Sequence, residues 1–398
     1  MNPTKRTVAT VVYHLLPGNE SFSASSGLAI SHDVANIMRY DDSAIVVCRD
    51  SDDSWGFAAD RQIVIPRMRI FGRIKGRKYI PRWITSPFFR HIFRPLLSIL
   101  KAGDIVWCHN QPFFCAALAS LIRAKGAMLL YHAHNPLTDR PTRAAFKVFT
   151  PDACIFVSDA IRQQALKWIP WLRNTYVVHN GADDSVFYPA APESRSRNPV
   201  PVVLFIGRLV PIKGVHVLME AMRILQERKV RVVCRIVGSS FLHGSKVTPY
   251  VRELLKKHPS NVEFKGFCAH TDVADQYRAA DMLCCPSVWQ EPFGNVNIEA
   301  MACGIPVVAT RVGGIPEIAA EGGIVLIGPK SAVELANAIQ KLAEDENLRA
   351  KVAAEGLQAF QQHFTWAAIC GQYQDIANSL TKMKTEEVTF QWQQQYEV

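Results

Sequence analysis

Short apolar, β-rich runs alternate with longer helical stretches along the chain, and this constrains the fold more than any other feature. TVATVVYHLL, SAIVVC, DIVWCH, AMLLYH, ACIFVS and TYVVHN come first, followed by VVLFIG, VVCRIVG, VEFKGF, MLCCPS and PVVAT. The alternation predicts α/β architecture with parallel sheets. The Pro-, Ser- and Arg-rich segment PAAPESRSRNP, 189–199, separates the two series and reads as a linker. The expected organisation is a domain over 1–188, a linker over 189–200 and a second domain over 201–365. A helix over 366–380 is free to cross back to the first domain, and the polar tail 381–398 shows no clear period. Ligands of doubly wound sheets sit beyond the carboxyl ends of the strands, which predicts a site in a cleft between the domains.

A chain of 398 residues can build both cores. With 48% hydrophobic and 20% charged residues it is globular rather than disordered. Ten cysteines occur without a CxxC or paired spacing, most of them inside apolar runs, as expected for reduced, buried thiols of a cytosolic protein. No apolar run approaches the roughly 20 residues needed to span a bilayer. The start KRTVATVVYHLLPG imitates a signal peptide, but it lacks a small-residue cleavage site, and a first buried strand accounts for it better.

The net charge of +10 is uneven: residues 1–188 hold 23 Lys and Arg against 14 Asp and Glu, whereas 189–398 hold 22 against 21. The excess comes from 61–103, with eleven basic side chains, no acid, and Phe71, Tyr79, Trp83, Phe88, Phe89 and Phe93 among them. Such a segment suits nucleic acid, an anionic membrane surface or a plain solvated face. No nucleic-acid readout module accompanies it, so nucleic acid is not expected as a partner.

The chemistry concentrates in EPFGNVNIE, 291–299. DMLCCPSVW before it reads as a buried strand, and NVNIEAMACGIP as a helix stopped by Gly304 and Pro306. Glu291 falls on the strand-to-helix loop and Glu299 just over one turn into the helix. The helix N-terminus between them attracts an anion, while carboxylates accept hydrogen bonds from sugar hydroxyls. A diphosphate with a polyol at each end, a nucleotide sugar, satisfies all three features. Ordinary helix capping would explain either acid alone. In GRLVPIKG, Arg208 and Lys213 lie on a strand-to-helix loop, suited to a diphosphate as a fork and a point charge or left as exposed cations. Lys213 opposes the helix dipole, so an anionic partner is expected. No GxGxxG follows a strand.

In YHAHNP, His132 and His134 stand at a strand's carboxyl end, where site residues collect. Together with His109 they could ligate zinc, but no further ligand has a recognised spacing, and no metal is expected. Asp50, Asp52 and Asp53 in RDSDDS form either a DxD cation site or a solvated turn.

With these motifs assembled, SVWQEPFGNVNIEAMACGIPVVATRVGGIPEI, GRLVPIKG, FVSDAI and VVHNGADDSVFYP resemble a retaining glycosyltransferase of the family 4 type, from about residue 8 to 380. YHAHN and VGSSFLHGSKVTPYVREL look similar to bacterial lipopolysaccharide-core N-acetylglucosaminyltransferases. The resemblance implies the GT-B fold, α/β with two Rossmann-like doubly wound domains facing across a cleft. It implies transfer of a sugar, N-acetylglucosamine from UDP-GlcNAc as first choice and glucose or mannose as alternatives, onto a hydroxyl of a glycan or lipid-linked acceptor in envelope polysaccharide or lipopolysaccharide synthesis. Readings of another class are a sugar-nucleotide epimerase or a non-catalytic polyanion-binding protein.

Residue by residue, the resemblance makes Arg208 and Lys213 the phosphate-binding pair, Glu299 the ribose acid and Glu291 the acid facing the donor sugar. Phe293, Gly294, Asn295 and Val296 line the donor site, and Phe267 and Cys268 contact the base. His132 stands near the reacting centre, and Gly27 belongs to a loop near phosphate and acceptor that usually has two glycines, where Ser26 precedes it here. Catalysis is expected of His132, Glu291, Arg208 and Lys213, with no cofactor beyond the UDP-sugar substrate. Arg73, Lys75, Arg77, Lys78 and Trp83 are expected to meet the acceptor or an anionic membrane, which places the protein in the cytoplasm, peripheral on the inner face of the cytoplasmic membrane.

Overall fold

The computed structural model describes residues 10–396 except 19, 25–28, 67–86, 88, 192–197 and 241–246; the side chains at 53, 270, 385 and 387–396 are also not described. Gly27, Arg73, Lys75, Arg77, Lys78, Trp83 and half of the expected linker, 192–197, therefore lie outside the described residues. The chain forms two compact units. One comprises Met1–Val157, Ile161–Val178 and Cys370–Val398, the other Ser158–Ala160 and His179–Ile369.

The first unit holds a seven-stranded parallel sheet. Its strands are β1 (Val12–Leu15), β2 (Ala44–Cys48), β3 (Gln62–Val64), β4 (Ile105–His109), β5 (Met128–Ala133), β6 (Ala153–Phe156) and β7 (Thr175–Val177), in the spatial order β3-β2-β1-β4-β5-β6-β7. Strands β1, β4 and β5 are buried along their whole length, as strands covered on both faces must be. Parallel register sets His14 beside Trp107 and His109 beside His132, which brings histidines from three strands together.

The second unit repeats the plan with six parallel strands. They are β8 (Val202–Ile206), β9 (Val233–Val237), β10 (Val262–Gly266), β11 (Met282–Cys285), β12 (Val307–Thr310) and β13 (Ile324–Ile327), ordered β10-β9-β8-β11-β12-β13. The helix Val215–Glu227 buries Val215, Leu218, Met219, Met222 and Leu225, one stripe at helical spacing laid on the sheet. In both sheets the chain starts centrally, works outward on one side and returns to the other. The reversal opens a crevice at the strand ends between β1 and β4 in one unit and between β8 and β11 in the other.

The polar tail without a period is helical: one helix runs from Trp366 to Tyr396, its first residues grouped with the second unit and the rest with the first. Residues such as Lys, Met, Glu and Gln carry a helix onward without an apolar stripe once it has been nucleated. All ten cysteines are free thiols and nine are buried. No helix among the described residues is long and apolar enough to cross a membrane.

Candidate functional site

Two loops meet at the β8/β11 reversal of the second unit. The loop after β8 carries Arg208 and Lys213, and the loop after β11 carries Ser287 to Gly294. The Val288 amide donates to the Ile212 carbonyl at 2.9 Å, tying them together. Gly214, which ends the first loop at φ +74°, permits the close approach: a Cβ there would lie 1.8 Å from the Pro286 carbonyl oxygen. The final glycine of GRLVPIKG is thus required twice, for its left-handed backbone and for its missing side chain.

Glu291 is the centre of this junction. Lys213 Nζ donates to both carboxylate oxygens at 2.8 Å, and Ser287 Oγ and Trp289 Nε1 donate to Oε2 at 2.9 and 3.0 Å. Glu291 is buried, and the Lys213 side chain keeps about a quarter of its surface, 23%, exposed. The anionic partner expected for Lys213 is, within the protein, the Glu291 carboxylate. Both residues lie at the crevice, so the fold can bring them together although 78 positions separate them. Arg208 is exposed and makes no ion pair with any described residue.

The helix Asn295–Ala302 starts three residues after Pro292, with Gly294 at its N-cap at φ +102°. No side chain caps its first turn and no acid stands there, so its amide end is open to an anion. Phe293 is buried, and Asn295 Oδ1 accepts from Asn180 Nδ2 at 2.9 Å. Val296 is half-buried in the same first turn. Glu299, in the next turn, does not join the Lys213 junction; the Tyr277 hydroxyl donates to its Oε2 at 2.7 Å. Beyond β10, Phe267 is 59% exposed and Cys268 is half-buried, which leaves the phenyl ring free to be covered by a flat ligand.

Burial pushes the Glu299 carboxyl up from 4.5 to about 7, with the Tyr277 hydrogen bond pulling the other way. Between those values the folded chain keeps a proton that the unfolded chain has released. The resulting stabilisation is fully present below about 4.5 and fades as the pH rises toward 7. Glu299→Gln therefore gains stability relative to the parent over that window, by at most about 1.4 kcal/mol per pH unit. Urea unfolding of both proteins at several pH values checks this; a difference independent of pH would exclude it.

Residues of the quoted motifs that carried no assigned role also act here. Ser158 Oγ donates to the Pro292 carbonyl at 2.6 Å, and the Asp159 and Ala160 amides donate to Glu317 at 2.7 and 2.9 Å. His179 Nε2 lies 3.2 Å from the same Glu317 carboxylate. FVSDAI, VVHN and GIPEI thus form a brace behind the Glu291 loop. Sequence reasoning missed Tyr277, Ser287, Trp289 and Glu317. Ser287 and Trp289 stand four and two places before Glu291 and were within reach of it, whereas Tyr277 and Glu317 meet their partners only through the fold.

In the first unit, His132 is fully enclosed, and neither ring nitrogen has a hydrogen-bond partner. Its pKa is held well below 6.5, chiefly by burial and then by neighbouring His134 and His14, so its imidazole is neutral. The acidic turn behaves as a turn: Asp50 pairs with Arg49 at 3.1 Å, and Asp52 Oδ1 accepts from the Ser54 amide at 3.1 Å.

The family profile of the glycosyl transferases group 1 matches residues 190–359. Alpha-maltose-1-phosphate synthase of Mycolicibacterium smegmatis is 31% identical over 314 residues, 71% of this chain and 80% of that protein. Spore coat protein SA of Bacillus subtilis is 27% identical over 287 residues, 67% of this chain and 76% of that one. Among solved structures, Anabaena HepE in complex with UDP and glucose superposes with a TM-score of 0.73 at 23% identity, covering 93% of this chain and 100% of that one. Sucrose-phosphate synthase from Thermosynechococcus elongatus does so with a TM-score of 0.74 at 22% identity, over 94% and 100%. At these identities the structural likeness establishes the fold.

Proposed function

Because the chain belongs to the group 1 glycosyl transferases, we propose that it moves a sugar from UDP to an acceptor hydroxyl and keeps the anomeric configuration. The Glu291 junction carries this reading. It sets a carboxylate that can accept from sugar hydroxyls beside a lysine, an exposed arginine and an open helix N-terminus that can face phosphate. N-acetylglucosamine is the donor sugar of first choice. Glucose is the alternative favoured by the UDP-glucose complex of the fold neighbour HepE, and mannose from GDP-mannose is the third. The acceptor is a glycan or lipid-linked hydroxyl of an envelope polysaccharide or lipopolysaccharide.

Retention through a covalent intermediate needs a nucleophilic carboxylate beside the anomeric carbon. Glu291 is already engaged by four donated hydrogen bonds, which favours a front-side displacement. The acceptor oxygen bonds to the anomeric carbon as the bond to the phosphate oxygen breaks, and the acceptor proton passes to that departing oxygen. Arg208, Lys213 and the amides of Gly294 to Val296 stabilise the charge developing on the phosphate. His132 is assigned, as the resemblance implies, to a position near the reacting centre. Incubating the purified protein with a panel of nucleotide sugars and following nucleotide release tests the reading. Release of UDP from UDP-GlcNAc alone supports it, and release from none overturns it.

Charge neutralisation by Arg208, Lys213 and the helix end makes a divalent ion unnecessary for transfer. Activity is therefore expected to persist within about twofold in excess EDTA, and loss reversed by Mg²⁺ or Mn²⁺ would contradict this. The basic segment is assigned to an anionic leaflet, where each Lys or Arg contributes about 1 kcal/mol. Replacing Arg73, Lys75, Arg77 and Lys78 by Glu should release the protein from anionic liposomes without altering donor hydrolysis in solution. Undiminished cosedimentation at low salt would show a solvated face.

A further inference from the structure

We propose that His109, His132 and His134 form a binding site for a late first-row divalent cation, Zn²⁺ foremost, within the first unit. The parallel register of β4 and β5 sets His109 directly beside His132, and His134 follows at the carboxyl end of β5. One ring nitrogen from each lies within 4.8 Å of the others, and His109 Nδ1 is 2.9 Å from His134 Nε2. Ligand nitrogens of a tetrahedral zinc site stand about 3.4 Å apart, given bonds of about 2.05 Å. The rings would rotate to bring all three to that spacing. The remaining position would fall to water, the arrangement of a three-histidine zinc centre.

The surroundings match the same assignment. A ligating imidazole commonly passes its other N–H to a carboxylate or another acceptor, which fixes its tautomer. The second nitrogen of His109, Nε2, is 3.1 Å from His14 Nδ1, and the second nitrogen of His134, Nδ1, is 3.6 Å from Asp33 Oδ2. Metal binding then needs a change of tautomer together with the ring rotations. The proton shared between His109 and His134 moves to an outer nitrogen, the inner nitrogens turn to the cation, and no net proton is released. His132 supplies the third ligand, and both its nitrogens are buried without a partner. Without a cation the same rings form a chain, His14 to His109 to His134, that leaves His132 out.

The full chain, stripped with a chelator and dialysed, is titrated with Zn²⁺ by calorimetry. One equivalent should bind saturably, and His134→Ala and His132→Asn should each weaken binding by at least about tenfold. His258→Ala, at an exposed histidine, should leave it unchanged. Loading the parent with Co²⁺ gives a readout that needs no variant: a four-coordinate nitrogen site absorbs strongly in the visible, an octahedral one only faintly. Absence of saturable binding at one equivalent, binding insensitive to both site variants, or an octahedral Co²⁺ spectrum would each overturn the site and leave a hydrogen-bonded histidine cluster.

Discussion

Glu291→Ala is expected to lower turnover by about 10² to 10³-fold, the range for removing one preorganised polar group from a transition state, while UDP affinity holds or rises. The carboxylate is the sole ion-pair partner recorded for Lys213 among the described residues, and it holds that lysine through both oxygens. A diphosphate must compete with Glu291 for the lysine, so removing the carboxylate frees the cation for the nucleotide while stripping the sugar side of its acceptor. Glu299→Ala should do the opposite. It stands a turn away, bonded to Tyr277 and not to Lys213. Above pH 7, where Glu299 is ionised, losing a charged acceptor for ribose hydroxyls should cost about 1.5 to 3 kcal/mol, roughly ten- to a hundredfold in UDP affinity. Calorimetry with UDP and rate measurements on both variants decide; equal loss of UDP affinity in the two would sink the division of roles.

The second large effect is expected at Gly214. A Cβ there meets a backbone carbonyl oxygen at 1.8 Å, and the residue's φ of +74° is one that alanine adopts only at a cost. Left-handed backbone costs about 1 to 2 kcal/mol and forced overpacking about 1 to 3 more. Gly214→Ala should therefore destabilise the second unit by about 3 kcal/mol, lowering its melting temperature by roughly 6 to 12 °C. Scanning calorimetry reads this directly. Activity should fall even below the transition, because the two loops that meet at Gly214 and Pro286 also carry Lys213 and Glu291. A melting temperature within a degree of the parent would mean the loops separate freely.

The alternation of apolar runs was sufficient for the two-sheet architecture because a strand covered on both faces is buried along its length and mostly apolar, as β4, β5, β11 and β12 are apart from His109, His132 and Thr310. β3 and β13 escaped that reading. Both are edge strands, three and four residues long and only partly buried, so QIV and IVLI need no long apolar run. At the site, the loop positions of Glu291 and Lys213 were legible, but their mutual bond was not. Nothing local to either residue says that a carboxylate 78 positions away will reach it; that follows from the order in which the strands are laid down. The histidine group shows the same limit, since HxH was visible in YHAHNP while the contribution of His109 depends on the pairing of β4 with β5.

The grouping of Ser158–Ala160 with the second unit bears on how the chain can be cut and recombined. A fragment beginning at the family match, residue 190, would include Glu317 but not the Asp159 and Ala160 amides or the His179 ring that contact its carboxylate. It would also lack the hydroxyl that holds the Pro292 carbonyl. A chimera that exchanged everything after the linker would join a Glu317 from one parent to partners from the other. The exchangeable module is therefore discontinuous in sequence: 158–160 and 179–369 travel together, and a crossover placed by sequence alone would fall inside it.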